Sequence, residues 1–349
     1  MRKRINALVK TLNDDECALI SSYANIFYFS GFTSEDAYLL ISKNDCFIIT
    51  DSRYFVQAKQ QCPDFTLIDI SKDFDKILNQ LKEKNILFEE KNVSVGFYLN
   101  LKKKCSDKCF VPAEHRISKF REIKDEAEIS KIKCAEELGD AAFSHVLNYI
   151  KPGVRECDIA LELEFFMRKN GAEKLSFDTV AASGKRSAMP HGVASSKIIE
   201  YGEFLTLDFG CVLDGYCSDM TRTVAIGKIN DEQKNIYNIV LKAQEKALSC
   251  MKTGMKCSEI DSLSRDVIVG AGYGDHFGHS LGHSVGIEIH ENPNFSPKSD
   301  DIFVNGNVIT VEPGIYIEDF CGVRIEDVVA AIDGEIINLT KSPKELIIL

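Results

Sequence analysis

Short apolar runs alternate with segments of helical periodicity along residues 1–120, a pattern that indicates strands and helices in succession. Runs over residues 36–41 and 46–50 predict two strands, and the polar residues between them predict a turn. The further elements expected are a helix from Asp51, a strand over residues 65–70, a helix over residues 74–81 and a strand over residues 93–97. No cluster of catalytic side chains occurs in this part, which is therefore interpreted as a small α/β domain that packs, shields or dimerises.

A charged stretch over residues 120–126 opens a long amphipathic helix, whose apolar residues recur at helical spacing from Ile129 to Ala141. We therefore place a boundary near residue 121 and expect two domains, over residues 1–120 and 121–349. Within the second domain, residues 151–159 resemble residues 252–260, and each segment follows one amphipathic helix and precedes another. This match predicts two related halves, each a helix pair that leads into strands.

A hairpin in the first of these halves brings two aspartates together. Asp214 and Gly215 stand between β-prone runs, and Asp-Gly is a strong signal for a two-residue hairpin turn. With that turn, Asp208 lies diagonally across from Asp219 on one face, where diagonal neighbours are roughly 7–8 Å apart. Both carboxylates can therefore reach one site.

Two glutamates follow in the strands of the second half. Glu312 ends an apolar strand before a Pro-Gly break, and Arg324 and Glu326 share a face of the next strand because they are two residues apart. A solvent-facing glutamate on an edge strand explains either residue alone. A buried carboxylate on an apolar strand, however, requires a partner or a metal ion.

Residues 277–291 place His279, His283 and His290 among glycines, and His191 lies in a loop of the first half. One interpretation is a glycine-rich loop whose imidazoles are satisfied by hydrogen bonds. Another is a serine hydrolase, because residues 278–282 and 282–286 both fit the G-x-S-x-G pattern. That pattern requires a preceding strand, a following helix and a later histidine, and no histidine follows His290, so it is disfavoured.

Composition narrows the function classes. The chain is 44% hydrophobic and 27% charged, as in ordinary globular proteins, and its net charge of −11 disfavours a nucleic-acid or anionic-membrane partner. A secretory h-region and an apolar run of about 18 residues are both absent, so we expect a cytoplasmic protein without a membrane span. Its twelve cysteines contain no CxxC pair, which favours reduced thiols over disulfides or a cysteine zinc site.

Four carboxylates and one imidazole form an oxygen-rich ligand set that suits Mn²⁺ and related divalent ions. Four negative charges repel one another in a dry pocket, and two divalent cations neutralise them. Two ions roughly 3.5–4 Å apart can share a water, lower its pKa and stabilise the oxyanion that it forms at a carbonyl. Further histidines then donate hydrogen bonds to that developing charge.

From residue 121 to its end the chain resembles the pita-bread metallopeptidases, in particular the branch of Xaa-Pro aminopeptidases and Xaa-Pro dipeptidases (prolidases). The matching landmarks are His191 in Met-Pro-His-Gly, Asp208 in Leu-Asp-Phe-Gly, Asp219 in Ser-Asp-Met-Thr, His283, Glu312 in Val-Glu-Pro-Gly and Glu326 in Arg-Ile-Glu-Asp. Residues 25–32 and 50–54 resemble the creatinase-like N-terminal domain of that family. The resemblance implies an α+β pita-bread fold with a pseudo-two-fold repeat, preceded by a smaller α/β creatinase-like domain.

The resemblance also implies a ligand set for two divalent ions, with Mn²⁺ as the first expectation and Co²⁺ or Zn²⁺ as alternatives. Asp208 is expected to bind one ion, and Asp219 and Glu326 are expected to bridge both. His283 and Glu312 complete the second site, and Glu312 also handles the proton of the nucleophile. The reaction implied is hydrolysis of the Xaa-Pro bond by a hydroxide that bridges the metals.

The remaining residues correspond to the substrate-binding groups of the family. His191 and His290 match histidines that contact the scissile amide and its intermediate, so both are expected to be catalytic. His279 matches a residue lining the pocket for the proline side, and Arg324 matches an arginine that braces the site. Ser284 stands where a glycine is frequent, a departure expected to change only loop stiffness.

Several alternatives stay open at this point. The substrate is expected to be a small peptide with proline at the second position, cleaved by a homodimer acting as an aminopeptidase or a dipeptidase. Lys298 is the only cation between His290 and Arg324, which favours tolerance of peptides longer than dipeptides. A broad-specificity metalloaminopeptidase and a metal-free binding protein on the same fold are the rival functions.

Overall fold

A six-stranded mixed sheet is the framework of the residues up to Arg121, the first of two units into which the computed structural model divides. The structure describes residues 2–349. The elements of the first unit are α1 (Arg2–Val9), β1 (Glu16–Ile20), α2 (Tyr23–Ser30), β2 (Ala37–Ile41), β3 (Cys46–Thr50), α3 (Phe55–Gln61), β4 (Thr66–Asp69), α4 (Ile70–Gln80), β5 (Asn85–Phe88), α5 (Val95–Lys104), β6 (Cys109–Pro112) and α6 (Glu114–Ser118), followed by a 3₁₀ turn over Lys119–Arg121. The sheet order is β4-β3-β2-β1-β5-β6, with antiparallel pairing between β1 and β2 and between β2 and β3.

The sequence pattern located part of this sheet correctly. The hairpin of β2 and β3 is confirmed, with Ile41 opposite Cys46 across the predicted turn. The strand predicted over residues 93–97 is wrong, because α5 begins at Val95. The hydroxyl of Ser94 accepts a hydrogen bond from the backbone N–H of Phe97 at 3.1 Å, and this N-cap outweighs the local alternation.

The second unit, Glu122–Leu349, is built from two helix pairs and several small sheets. No helix within residues 2–349 combines the length and the apolar character that crossing a membrane requires. The elements are α7 (Glu126–Val146), α8 (Glu156–Lys169), β7 (Lys174–Leu175), β8 (Val180–Ser183), β9 (Phe204–Phe209), β10 (Cys211–Leu213), β11 (Tyr216–Cys217), β12 (Met220–Ala225), α9 (Asp231–Cys250), α10 (Cys257–Gly270), β13 (Gly282–Ser284), β14 (Glu291–Phe295), β15 (Val308–Val311), β16 (Gly314–Ile317), β17 (Cys321–Arg324), β18 (Asp327–Ile332) and β19 (Glu335–Asn338), with 3₁₀ turns over Gly184–Ala188 and Gly274–His276.

The internal repeat is visible in matching backbone contacts. The residue before α8 forms an isolated bridge, Arg155 to Ile198, and the residue before α10 forms the corresponding bridge, Lys256 to Ile302. Each half also has its own hydrophobic core, the first around α7 and α8 and the second around α9 and α10. The expected arrangement of two related halves, each a helix pair leading into strands, is confirmed.

The predicted hairpin has the expected register. Asp214 and Gly215 have φ angles of 49° and 78°, as a type I′ turn requires, and Leu213 pairs with Tyr216 on either side. The pairing continues until Asp208 lies opposite Thr221 on β12, which makes Asp219 the diagonal neighbour of Asp208. The two aspartates therefore lie on one face.

The single strand expected to carry Arg324 and Glu326 is instead two strands. β17 pairs with β16, and after Ile325 and Glu326 the chain continues as β18, which pairs with β15. The break occurs because the backbone N–H of Glu326 bonds to the carbonyl of Thr221 at 3.1 Å in the first half, rather than to a neighbouring strand of its own half.

A buried ion pair joins the two halves beside this break. The guanidinium of Arg222 donates to the carboxylate of Asp327 at 2.7 Å, and both side chains are almost fully buried. Its remaining N–H groups reach carbonyls of Thr221, Glu326, Ser342 and Pro343, so all five donors are used. Because Arg222 donates hydrogen bonds to the carbonyls of both Thr221 and Glu326, it fixes β12 of the first half against Glu326 of the second half.

Replacement of Asp327 by alanine is expected to lower the free energy of unfolding by about 3–5 kcal/mol, because it leaves the guanidinium of Arg222 buried without its counter-charge. Urea unfolding of the purified variant measures this loss. The control is Asp300→Ala, which removes the partner of Lys256 from an exposed pair and is expected to cost less than about 1 kcal/mol. Equal losses in the two variants would show that the buried pair is unimportant for stability.

Candidate metal centre and active-site cavity

The nine residues singled out from the sequence all line one cavity of about 750 Å³ in the second unit. The first half of the repeat contributes His191, Asp208 and Asp219. The second half contributes His279, His283, His290, Glu312, Arg324 and Glu326. Residues far apart in the chain therefore meet in one place, as the resemblance implied, while the role of each residue stays a prediction.

Three of the predicted ligands form the tightest cluster. One ligand atom from each of Asp219, His283 and Glu326 lies within 4.8 Å of the others. His283 Nε2 is 3.5 Å from Asp219 Oδ2 and 3.4 Å from Glu312 Oε1, so a fourth group adjoins the cluster. Asp208 stands outside this cluster, on the side of the cavity occupied by Arg324.

The carboxylate of Asp208 has one satisfied and one unsatisfied oxygen. Arg324 Nη2 donates to its Oδ2 at 2.5 Å, whereas Oδ1 is buried and has no hydrogen-bond partner among residues 2–349. A buried acceptor without a partner costs free energy unless something else satisfies it. A cation bound in the cavity would satisfy Asp208 Oδ1.

Two threonine hydroxyls orient the glutamates. Thr221 accepts from Arg324 Nε at 3.0 Å and donates to Glu326 Oε2 at 2.6 Å. Thr310 accepts from the backbone N–H of His283 at 3.0 Å and donates to Glu312 Oε1 at 3.0 Å. Because each hydroxyl is occupied on both sides, each carboxylate is fixed in its orientation.

Burial and mutual repulsion disfavour the charged forms of this cluster. The pKa values of Asp219 and Glu326 are raised well above their usual range by burial and by the neighbouring carboxylates. Burial raises the pKa of Glu312 to about 8 and lowers the pKa of His283 to about 4. Ionisation of all these carboxylates at once is therefore unfavourable in the protein alone, and divalent cations would restore the charge balance. The donor set, the burial and the unsatisfied oxygen fit the ions that the resemblance implied.

A chain of hydrogen bonds links Arg324 to His279 through Tyr316. Arg324 Nη1 donates to the hydroxyl of Tyr316 at 2.8 Å, and that hydroxyl lies 2.9 Å from His279 Nε2. The Nδ1 of His279 lies 2.8 Å from the carbonyl of Ser280, which can only accept, so the proton of the ring is on Nδ1 and Nε2 accepts from Tyr316. Burial lowers the pKa of His279 to about 4, which keeps the ring neutral.

His191 and His290 are the exposed histidines of the cavity. The ring of His290 packs against that of His283 with centroids 4.3 Å apart. Neither His191 nor His290 has a hydrogen-bond partner for its imidazole within the described chain, so their nitrogens face the cavity unengaged. This differs from His279, whose two nitrogens are both occupied.

The environment of Ser284 is not that of a serine hydrolase nucleophile. Its side chain is buried on β13, and its hydroxyl donates to the carbonyl of Pro293 at 2.9 Å. The strand leads into a loop and then β14, not into the helix that a nucleophile elbow requires.

Several supporting residues were missed from the sequence. Glu136 is fully buried on α7 and accepts a hydrogen bond from the backbone N–H of Asp219 at 2.8 Å. A signal existed, because Glu136 follows Ile129 by two turns and Ile132 by one turn on the same buried face. Tyr316 was also missed, although it comes four residues after Glu312.

A buried ion pair supports the turn that carries His290. Lys124 Nζ lies 3.0 Å from the carboxylate of Glu291, the residue after His290, and both side chains are nearly inaccessible to solvent. The other carboxylate oxygen accepts from the backbone N–H of Glu288 at 3.2 Å. The charged stretch before α7 thus contributes to the site as well as to the helix start.

Comparison with known proteins gives a consistent result. Residues 130–332 match the model of metallopeptidase family M24, and residues 2–123 match the Creatinase/Prolidase N-terminal domain. The Xaa-Pro dipeptidase of Pyrococcus furiosus is 39% identical, over 99% of this chain and 100% of its own length. Two solved structures superpose over nearly the whole chain: an Xaa-Pro dipeptidase from Bacillus anthracis (43% identity, TM-score 0.96, 100% of this chain and 99% of that one) and an X-Pro aminopeptidase from Thermotoga maritima (41%, 0.91, 99% and 100%).

The raised carboxylate pKa values predict how stability depends on pH. Between the ordinary pKa of Glu312, 4.5, and its value of about 8 here, the folded protein holds a proton that the unfolded chain has released. The free energy of unfolding of metal-stripped protein should therefore fall as pH rises from about 5 to 8, and added Mn²⁺ should remove that fall. Urea unfolding across this pH range measures both effects.

The matched control is Glu326→Gln, an isosteric change that removes one of the repelling charges. It should flatten the pH dependence of the metal-stripped protein. An unchanged slope in this variant would mean that the carboxylate cluster is not the source of the effect.

Proposed function

This chain belongs to metallopeptidase family M24, and we propose that it hydrolyses the bond between an N-terminal residue and a following proline, using two divalent metal ions. The proposal is supported above all by the convergence, in one cavity, of buried carboxylates, one buried imidazole and two histidines with unengaged nitrogens. Relatives named as Xaa-Pro dipeptidases and an X-Pro aminopeptidase support the choice of substrate.

The five proposed metal ligands are Asp208, Asp219, His283, Glu312 and Glu326. The ions, when bound, supply Lewis acidity and a hydroxide nucleophile near neutral pH. Mn²⁺ is the ion that we propose first, because the set is dominated by carboxylate oxygens, with Co²⁺ and Zn²⁺ as alternatives. Arg324 holds Asp208 and, through Thr221, Glu326, so one cation of the protein orients ligands on both halves.

His191 and His290 are proposed to act as hydrogen-bond donors to the scissile amide and to the charge that develops on its oxygen. Their solvent-accessible, unengaged nitrogens suit that task, and partial desolvation of His290 by the cavity walls lowers its pKa, which favours the neutral donor. Donors fixed before the reaction stabilise a developing oxyanion without reorganisation of solvent. Glu312 is proposed to carry the proton released during attack and to return it to the leaving amine.

Proline selectivity is proposed to depend on an apolar wall formed by His279. A neutral imidazole with both nitrogens engaged presents only its ring surface, which suits the apolar pyrrolidine ring. The Xaa-Pro bond lacks an N–H, so peptidases that require that donor handle it poorly and a dedicated site is needed.

The cavity lining supports acceptance of peptides longer than a dipeptide. Arg324 is the sole arginine or lysine among the cavity-lining residues in the described chain, and Asp208, Thr221 and Tyr316 already engage it. A dipeptide carboxylate would find no free cation there within this chain. We propose that dipeptides and longer Xaa-Pro peptides are both substrates, and homodimer formation remains a prediction.

Replacing His191 or His290 by alanine is expected to lower kcat by roughly 10²–10³-fold, the usual consequence of losing an oxyanion donor. Metal content, measured by elemental analysis, should remain close to that of the unchanged protein, because neither residue is a proposed ligand. His283→Ala is the contrasting variant and should lose metal. Comparable metal loss in His290→Ala would mean that the two roles have been assigned wrongly.

The proposed specificity predicts that kcat/KM for Ala-Pro and Ala-Pro-Gly exceeds that for Ala-Ala and Ala-Ala-Gly by more than about tenfold, or ~1.4 kcal/mol of transition-state binding. Steady-state kinetics on the four peptides measure the ratio, and a chelator should abolish all activity. A smaller ratio would favour a broad-specificity metalloaminopeptidase.

A further inference from the structure

Glu156, the first residue of α8, is completely buried and accepts five hydrogen bonds from residues between Ser183, the last residue of β8, and Ser195. Its Oε1 accepts from the backbone N–H of Ser183 at 2.7 Å and from the Ser183 hydroxyl at 2.9 Å. Its Oε2 accepts from Arg186 Nε at 2.9 Å, from the N–H of Ser195 at 3.1 Å and from the Ser195 hydroxyl at 2.6 Å. A carboxylate has about four lone-pair positions, so Glu156 is fully used.

The donors to Glu156 bracket a single segment. Ser183 and Ser195 flank residues 184–194, here called the His191 loop, and Arg186 lies inside it. The other end of the Arg186 guanidinium donates to the carbonyl of Val193 at 2.6 Å, near the far end of the loop. The carboxylate of Glu156 is thus bonded to the residues at both ends of the loop. It is also bonded to Arg186, which links two parts of the loop by its bond to Val193.

His191 depends on its backbone for its position, since its ring is exposed and has no hydrogen-bond partner among residues 2–349. The loop begins with the 3₁₀ turn over Gly184–Ala188, which Ser187 ties to the backbone of Gly322, but it contains no strand. Around His191 itself the backbone bonds are few and local: the N–H of Gly192 bonds to Met189, that of Val193 bonds to His191, and Ala194 and Val193 bond or bridge to residues 179 and 180. We propose that Glu156 is a positioning residue, which holds the His191 loop so that the imidazole of His191 points into the cavity. The link to catalysis rests on the proposed function of His191, whereas the effect on the loop does not.

Comparison of the two halves of the repeat supports a role for Glu156 beyond that of the first residue of α8. The position equivalent to Glu156 in the second half is Cys257, which begins α10 in the same way and lies in the hydrophobic core. The backbone bridge before each helix is conserved between the halves, Arg155 to Ile198 and Lys256 to Ile302. The helix start is therefore compatible with an uncharged residue, and the carboxylate occurs only in the half that carries the His191 loop.

Glu156→Gln tests the proposal, because it keeps the shape of the side chain but replaces one acceptor oxygen with a donor that faces other donors. Hydrogen exchange of the backbone amides in the His191 loop should become about tenfold faster. The control is Glu162→Gln on the same helix, which removes a carboxylate bonded to His145 of α7 and to no residue of the loop, and it should leave loop exchange unchanged. Unchanged exchange in Glu156→Gln, or equal acceleration in both variants, would overturn the proposal.

A double-mutant cycle with His191→Ala distinguishes the positioning of His191 from a general effect of Glu156→Gln on the structure. Glu156→Gln should lower kcat/KM for Ala-Pro about 10–100-fold, as expected for a misplaced catalytic group, with metal content unchanged. In a His191→Ala background the same change should lower it less than about twofold, because the group being positioned is gone. The same factor in both backgrounds would overturn the proposal.

Ser195→Ala removes the shortest hydroxyl donor to Glu156 and provides a milder variant should Glu156→Gln fail to fold. It should change loop exchange and kcat/KM in the same direction by smaller factors, and no change in either would count against the proposal. If the protein without substitutions cleaves no Xaa-Pro peptide, the proposed function is refuted instead. The exchange measurement would then still decide whether Glu156 holds the loop.

Discussion

Crowding of four carboxylates around one buried imidazole is the constraint on which the rest of the second unit depends. Burial and mutual repulsion raise the pKa values of Asp219, Glu312 and Glu326, so the cluster is unfavourable as a set of charges in the protein alone. Such perturbed groups are typical of functional sites, where a bound cation or a reaction makes use of them. The same crowding explains why the hydroxyls of Thr221 and Thr310 and the guanidinium of Arg324 bond to these carboxylates, since each oxygen that does not face the cavity needs a donor.

Both halves of the internal repeat contribute carboxylates and histidines to the cavity. The first half supplies two aspartates from a single hairpin and His191 from a loop whose two ends are bonded to the buried carboxylate of Glu156. The second half supplies the glycine-set histidines and the glutamates. Two arginines connect the two halves. Arg222 donates hydrogen bonds to the backbone carbonyls of Thr221 and Glu326, and Arg324 donates one to the carboxylate of Asp208. A shift between the halves would therefore separate the proposed ligands as well as expose buried charge.

The sequence was most informative where chemistry restricts the choice of residue. The Asp-Gly turn predicted the hairpin register that puts Asp208 and Asp219 on one face, because only residues tolerant of positive φ fit a type I′ turn. The pattern failed where a local cap or a long-range contact decided the outcome. Ser94 turned an apparent strand into α5, and the contact between Glu326 and Thr221 divided one expected strand into β17 and β18. The buried position of Glu136 could be inferred from its helical spacing, but its bond to Asp219 could not, and Glu156 gave no such signal. The groups that both glutamates bind lie on distant segments whose proximity only the fold creates.

Stepwise return of Mn²⁺ to metal-stripped protein tests the central claim most directly. Bound ions are counted by elemental analysis while the rate of Ala-Pro hydrolysis is followed in the same samples. The account predicts no hydrolysis without metal and a rate that reaches its maximum as occupancy approaches two ions per chain. Full hydrolysis by protein that holds no metal would contradict it.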